Sequence, residues 1–294
     1  MNVFKRQPYI AEELRIEENI FAEATFKRPP YYSKDSNGKE HLYAVCPECD
    51  NPIVIVGLYK YEKDKQETAG ERPHGRHHKG TIRNLAVYDE DAYFNCPYAR
   101  LSESVSKKKR PNDHPKNNGL FKYLIHNYEA IIYVLSEKTG IRVSTSFAKK
   151  LLNSYIDNEG WMYYHTTYSN LPYMLMFAEP AATLVGRWIK VDGAVYSAIK
   201  KHGCADLSRE ENGFSKVQNK GKEFLELSFG IANRKVKIRN EEKVETFTLY
   251  VAYEDKIIFR HNLLVDSNDI EDAKGINESK NSEIRTFALS KLQP

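Results

Sequence analysis

Two thiols separated by two residues, Cys46-Pro47-Glu48-Cys49, lie between the apolar runs His41–Val45 and Ile53–Leu58. No other feature constrains the fold of this chain as tightly. Two strands joined by so short a turn aim both sulfurs at one point, and backbone N–H groups in the turn support thiolate charge. The arrangement is a metal knuckle. A tetrahedral zinc ion needs two further ligands. From the end of the polar segment 60–76, which holds Gly70, Pro73 and Gly75, onward, the chain offers His74, His77, His78 and a lone Cys96. Cys46, Cys49, His77 and Cys96 make a Cys3His set, with His77 taken for its central place, although chemistry alone does not separate it from His74 or His78. Proline follows both Cys46 and Cys96, fixing φ just after each ligand. Four protein ligands leave no open position, so the expected Zn2+ is structural rather than catalytic.

The remaining cysteine, Cys204, lies far off in sequence and reads as a free thiol. Four cysteines in 294 residues do not make a disulfide scaffold, which points to a reducing compartment. Thioredoxin-type use of the pair would place it at a helix N-terminus, whereas an extended apolar run follows here. No stretch approaches the ~20 apolar residues of a membrane span, and Met1–Pro8 lacks the apolar core of a signal peptide. The expected location is cytoplasmic, with no membrane partner.

The knuckle and its flanking strands, His41 to Leu58, resemble half of a zinc ribbon. The order of residues after the knuckle also resembles the HNH nucleases. His78, Asn84 with Leu85, and Cys96 follow Cys46-x-x-Cys49 in that family's sequence of general-base histidine, asparagine and second zinc-binding thiols. The resemblance implies a metal-dependent nuclease with His78 as base and Asn84 beside it, and His114 as the available metal-binding histidine. The chain departs from the pattern at Cys96-Pro97-Tyr98-Ala99, which has one thiol instead of two, and at His77, where an aspartate often stands.

Periodicity divides the rest. Ser102–Asn118 holds Lys107-Lys108-Lys109-Arg110-Pro111 and keeps no apolar period, so 107–119 reads as a basic linker or loop after a zinc-binding β-rich module over 1–106. Residues 120–294 read as an α+β domain. Phe121, Leu124, Ile125, Tyr128, Ile131, Ile132 and Leu135 recur at helical spacing, and Gly140 sits where a C-cap belongs. A second helix is expected from Ser144 or Thr145 to Asp157. Thr183–Val191 reads as one strand. Antiparallel strands are expected over about 223–266, with turns at Asn233-Arg234, Asn240-Glu241 and Glu254-Asp255, and a last strand at Arg285–Leu289. The fold class is therefore α+β, with a zinc-knuckle β module followed by a helical pair (121–157) and an antiparallel sheet.

A formal net charge of +4, from 44 basic and 40 acidic side chains, neither demands nor excludes a nucleic-acid partner, so local patches must decide. Three are candidates: Lys107, Lys108, Lys109 and Arg110 in the linker; Lys149 and Lys150 on the second helix; and Lys235, Lys237 and Arg239 at alternate positions of a strand. The two helices have the spacing of a helix-turn-helix, with Trp161-Met162-Tyr163-Tyr164-His165 as a wing. The expected function is a zinc-binding protein acting on nucleic acid. A non-catalytic scaffold for a protein partner is the alternative beside the nuclease. The 20 tyrosines serve either as core rims or as stacking platforms.

Overall fold

The computed structural model describes residues 1–34, 38–59, 72–99, 108–177, 179–221, 225–274 and 282–292. The chain divides into two compact units, Met1–Gly119 with Val236–Val244, and Leu120–Lys235 with Glu245–Pro294.

In the first unit, β1 (Val3–Phe4) pairs with β2 (Leu14–Arg15), and α1 (Glu18–Thr25) follows. Strands β3 (Tyr32–Lys34), β4 (Glu40–Val45), β5 (Pro52–Val56) and β6 (His74–His77) form an antiparallel sheet in that order. Its register is set by the alternation of the two apolar runs: Ala44 pairs with Ile53 and Ile53 with His77. A slip of one residue would turn Ile53 and Ala44, both fully buried, out of the core. Gly75 makes this packing possible. A Cβ there would lie 2.9 Å from Ile53 Cδ1 and 3.1 Å from Met1 Cγ. A short helix, α2 (Glu90–Phe94), and α3 (Pro115–His126) complete the helices of this part of the chain. The expected linker is therefore partly structured: Pro115–Gly119 opens α3, and Arg110, Lys116 and Asn117 are buried.

The helix expected over 121–137 is interrupted. α3 ends at His126 and α4 (Tyr128–Thr139) begins two residues on; at the junction the Asn127 side-chain amide and backbone N–H both donate to the Tyr123 carbonyl, at 2.7 and 3.0 Å. Gly140 caps α4 with φ +67°, and Ser144 caps α5 (Thr145–Asp157) by accepting from Phe147 N–H. The apolar residues expected on these helices form the second unit's core, joined by α6 (Leu171–Phe177). Tyrosines serve as core here. Tyr128 is fully buried with its hydroxyl donated to the Ala148 carbonyl at 2.6 Å. The expected wing is instead a 3-10 turn, Gly160–Met162, running into buried Tyr164 and His165. Its apolar side chains fill the core rather than present a reading edge.

Strand pairing in this unit is antiparallel. The stretch 183–191 is two strands, β7 (Ala182–Thr183) and β8 (Trp188–Lys190), parted by Gly186 at φ +83°. After α7 (Ala194–His202) come β9 (Asp206–Leu207) and β10 (Phe214–Gln218), which form a sheet of order β8-β10-β9. The long strands β11 (Leu227–Arg239), β12 (Glu242–Tyr253) and β13 (Lys256–Leu264) make a sheet of order β13-β12-β11-β7. Asn240 and Glu241, both at positive φ, turn β11 into β12 as expected, and Glu254-Asp255 joins β12 to β13. Asn233-Arg234 is not a turn. β11 runs through it, with Asn233 at φ +50° as a local irregularity that asparagine tolerates. After α8 (Asp269–Lys274), residues 283–289 are helix α9 (Glu283–Leu289) rather than a strand. Ser282 supplies the cap by accepting from Arg285 N–H, a signal that outweighs the short apolar run. Among the described residues no helix is long and apolar enough to cross a membrane.

Candidate metal centre

β4 delivers Cys46 to the knuckle, and the Cys46 N–H bonds the Asn51 carbonyl at 2.9 Å to close the turn. Asp50 stands in the left-handed region (φ +64°), which folds Cys49 back toward Cys46, and its own N–H reaches the Cys46 carbonyl at 3.1 Å. Directly paired residues of an antiparallel sheet share a face, and faces alternate along each strand. Ala44, Ile53 and His77 are in register, so His77 shares their face, and alternation along the chain brings Cys46 to it as well. His74 and His78 fall on the opposite face. The period of two thus separates three histidines that chemistry alone leaves equal. The His78 ring packs edge-on against Tyr43, and His74 Nδ1 lies 3.0 Å from the Arg72 carbonyl.

Cys96 arrives from α2. Asp89 caps that helix by accepting from Ala92 N–H, and Cys96 sits in the turn beyond its end, with its N–H on the Tyr93 carbonyl at 3.1 Å. What holds α2 against the knuckle is Asn51. Its amide donates to the Asp89 carbonyl at 2.9 Å, and its side-chain oxygen accepts from Asp89 N–H at 2.6 Å. The same amide lies 3.4 Å from Cys49 Sγ.

One ligand atom from each of Cys46, Cys49, His77 and Cys96 lies within 4.8 Å of every other. The Cys46 and Cys96 sulfurs are 3.8 Å apart, His77 Nε2 is 3.3 Å from Cys49 Sγ, and it is 3.6 Å from Cys96 Sγ. Zinc bonds of about 2.3 Å to sulfur and about 2.0 Å to nitrogen, set at tetrahedral angles, require S···S near ~3.8 Å and S···N near ~3.5 Å. Three of the cluster's six edges have the lengths of that tetrahedron, and the other three are no longer than 4.8 Å. Compared with protein-family models, with curated proteins and with solved structures, the chain matches none.

The electrostatics of the cluster fit a cation. Burial alone would raise all three thiol pKa values. At Cys46 the hydrogen bonds from Cys49 and Cys96 and the His77 ring outweigh burial, and the thiol falls well below its ordinary range. At Cys49 burial and the neighbouring Cys46 push the thiol well above it, and burial with the Cys46 and Cys49 sulfurs does the same at Cys96. The three sulfurs are thus not equivalent without an ion, and a divalent ion would favour the thiolate form of all three. The His77 ring is fixed by the Tyr93 ring edge-on at 5.3 Å.

The other expected site residues are dispersed. Asn84 lies exposed in a turn at φ +62°. His114 is not part of the cluster: its Nε2 meets Asp89 Oδ2 at 3.1 Å while its Nδ1 accepts from Lys116 N–H at 3.2 Å. Among the described residues the Cys3His cluster is the one group of three or more His, Cys, Asp or Glu side chains able to hold a metal, and neither His78 nor Asn84 belongs to it. Arg110 must be removed from the nucleic-acid candidates, because it is buried with its Nε on Asn117 Oδ1 at 3.0 Å. Lys107 lies outside the described residues. Lys108 is exposed and pairs with Asp91 at 2.7 Å, and Lys109 is half-buried. Lys149 pairs with Glu283 and lies 5.3 Å from the centre of the Phe287 ring, while Lys150 is exposed. Lys235, Lys237 and Arg239 are exposed at alternate positions of β11.

Sequence reasoning missed Asn51, Asp50 and Lys116. Asp50-Asn51-Pro52 reads as turn composition, and a single lysine among polar residues carries no signal of burial.

Proposed function

We propose that Cys46, Cys49, His77 and Cys96 bind one zinc ion with a structural role. The observation that carries this is the convergence of the four ligand atoms within 4.8 Å of one another, with the Cys46–Cys96, Cys49–His77 and Cys96–His77 edges at the lengths of a ZnS3N tetrahedron. With three sulfurs buried and four ligands present, no coordination position is left for substrate, which favours a stabilising ion over a catalytic one. Zinc then ties the β4–β5 turn, the end of β6 and the segment after α2 into one module. Native mass spectrometry of the purified chain should show one zinc per molecule, with loss of the ion in Cys96→Ser. A chain that stays folded and metal-free under these conditions would end this reading.

We propose further that the exposed cations of β11 bind nucleic-acid phosphates. Support comes from Lys235, Lys237 and Arg239 projecting at a spacing of two on a strand, as a basic stripe requires. Each of these cations replaced by a neutral side chain should lower the slope of log K against log salt by about 0.7–0.9. A triple glutamine variant with unchanged binding at low salt, or no binding by the parent chain, would remove this reading.

A further inference from the structure

Behind the knuckle lies a group of charges that neither reading uses. Lys5, Asp50 and Lys116 are 0, 4 and 3% exposed. Lys5 Nζ pairs with Asp50 Oδ1, and Lys116 Nζ lies 2.7 Å from Asp50 Oδ2. The Lys116 ammonium also donates to the Glu48 carbonyl at 2.6 Å, and Tyr9 N–H donates to Asp50 Oδ1 at 2.8 Å. Two ammonium groups around one carboxylate are costly to bury, since desolvation can exceed the attraction between them. Apolar side chains would hold two segments together at less cost. What this set does that apolar packing cannot is grip specific backbone atoms. It takes hold of residues 48 and 50, on either side of Cys49.

We propose that Lys116, with Lys5, is the outer-sphere positioning group of the metal centre: it grips the Asp50 carboxylate and the Glu48 carbonyl, so that zinc occupancy and docking of the Lys116 amine are coupled. This rests on the zinc reading above. The coupling runs both ways. Zinc closes the turn that presents Asp50 and the Glu48 carbonyl, and a docked Lys116 holds that turn in the shape zinc requires. The buried excess of positive charge is also complementary to a centre that carries three thiolates. Arg110 adds to this excess, since it and Lys5 both repel Lys116.

Two measurements on the whole chain test the coupling. The first is zinc affinity, by competition with a chromogenic chelator, for the parent chain, Lys116→Met and Asp50→Asn. Removal of an outer-sphere partner is expected to weaken zinc 10–100-fold, the range typical of such groups. Lys116→Arg should recover part of the loss. With cobalt in place of zinc, the visible bands of the Lys116→Met complex should shift, because the turn presents Cys49 differently; a change in overall stability alone would leave them in place. The second measurement is amine-reactive labelling read by mass spectrometry. Lys116 should be protected in the zinc-loaded chain and react after zinc is removed by chelator. Asp50→Asn, nearly isosteric, carries the test if Lys116→Met does not fold. Unchanged affinity and cobalt bands in both variants, or a Lys116 that stays protected without zinc, would overturn the coupling while leaving the zinc site standing. A parent chain that binds no zinc would instead remove the reading beneath it.

Discussion

Asn51→Ala is the sharpest structural perturbation of the centre that replaces no proposed ligand, although its amide also reaches Cys49 Sγ. The Asn51 side chain is fully buried and holds both backbone groups of Asp89, the cap of α2. Truncation leaves one N–H and one C=O without their partners. An unsatisfied buried backbone group costs about 1–3 kcal/mol; Asp89 is half-buried, so water recovers part of this and the low end applies to each. Adding a small cavity term gives about 2–3 kcal/mol in all. With a guanidinium m-value near ~3.5 kcal/mol/M for a unit of this size, the midpoint should fall by about 0.7 M. The chain's two tryptophans, Trp161 and Trp188, both lie in the second unit, so their fluorescence reports that unit alone. Zinc release to a chromogenic chelator reports the first. Asn51→Ala should therefore move the zinc-release curve to lower denaturant. A zinc-release midpoint within about 0.2 M of the parent's would refute the claim that Asn51 ties α2, and with it Cys96, to the knuckle.

Of the three neighbouring histidines, only His77→Ala should strip the metal, weakening zinc by more than about 100-fold, beyond the range of outer-sphere losses. His74→Ala and His78→Ala should each leave zinc content at the parent's level; loss of zinc in either, with His77→Ala unaffected, would mean the β5–β6 register is wrong. Asp89 is held below the usual carboxylate range, mainly by its hydrogen bond with His114. A depressed folded pKa gives stability that is present above the unfolded value near ~3.9 and lost as pH falls through the lower folded value. Asp89→Asn keeps a good helix cap but removes the charge, so its stability should fall less steeply than the parent's below about pH 4; an identical acid limb would count against the pair. In the second unit, a Cβ on Gly160 would lie 2.2 Å from the buried Tyr155 ring. Gly160→Ala should cost about 3 kcal/mol by tryptophan fluorescence with zinc stoichiometry unchanged, and a cost under about 1 kcal/mol would show that the ring can move aside.

Local chemistry carried some features into the sequence plainly and left others invisible. The knuckle was legible because two thiols at a strand–turn–strand junction have few other uses. α5 was legible because Ser144 caps it and its apolar residues keep one face. The α3–α4 break was not, since apolar spacing runs straight across Asn127. α9 was mistaken for a strand because five residues of mixed polarity fit either period. The choice among His74, His77 and His78 depends on which residue of β6 faces Ile53, a matter of pairing across many intervening positions. Lys116 reads as solvated charge for the same reason, since its burial is decided by the distant Asp50 and Glu48 carbonyl; Arg110 meets the nearby Asn117, but polar linker composition gives no sign that either is buried.

The proposal of a structural Cys3His zinc centre is tested most directly by X-ray absorption at the zinc edge on the purified chain. It should return three sulfur scatterers at about 2.3 Å and one nitrogen at about 2.0 Å, with no water in the first coordination sphere. A sphere with fewer than three sulfurs, or one that includes an exchangeable oxygen, would contradict it.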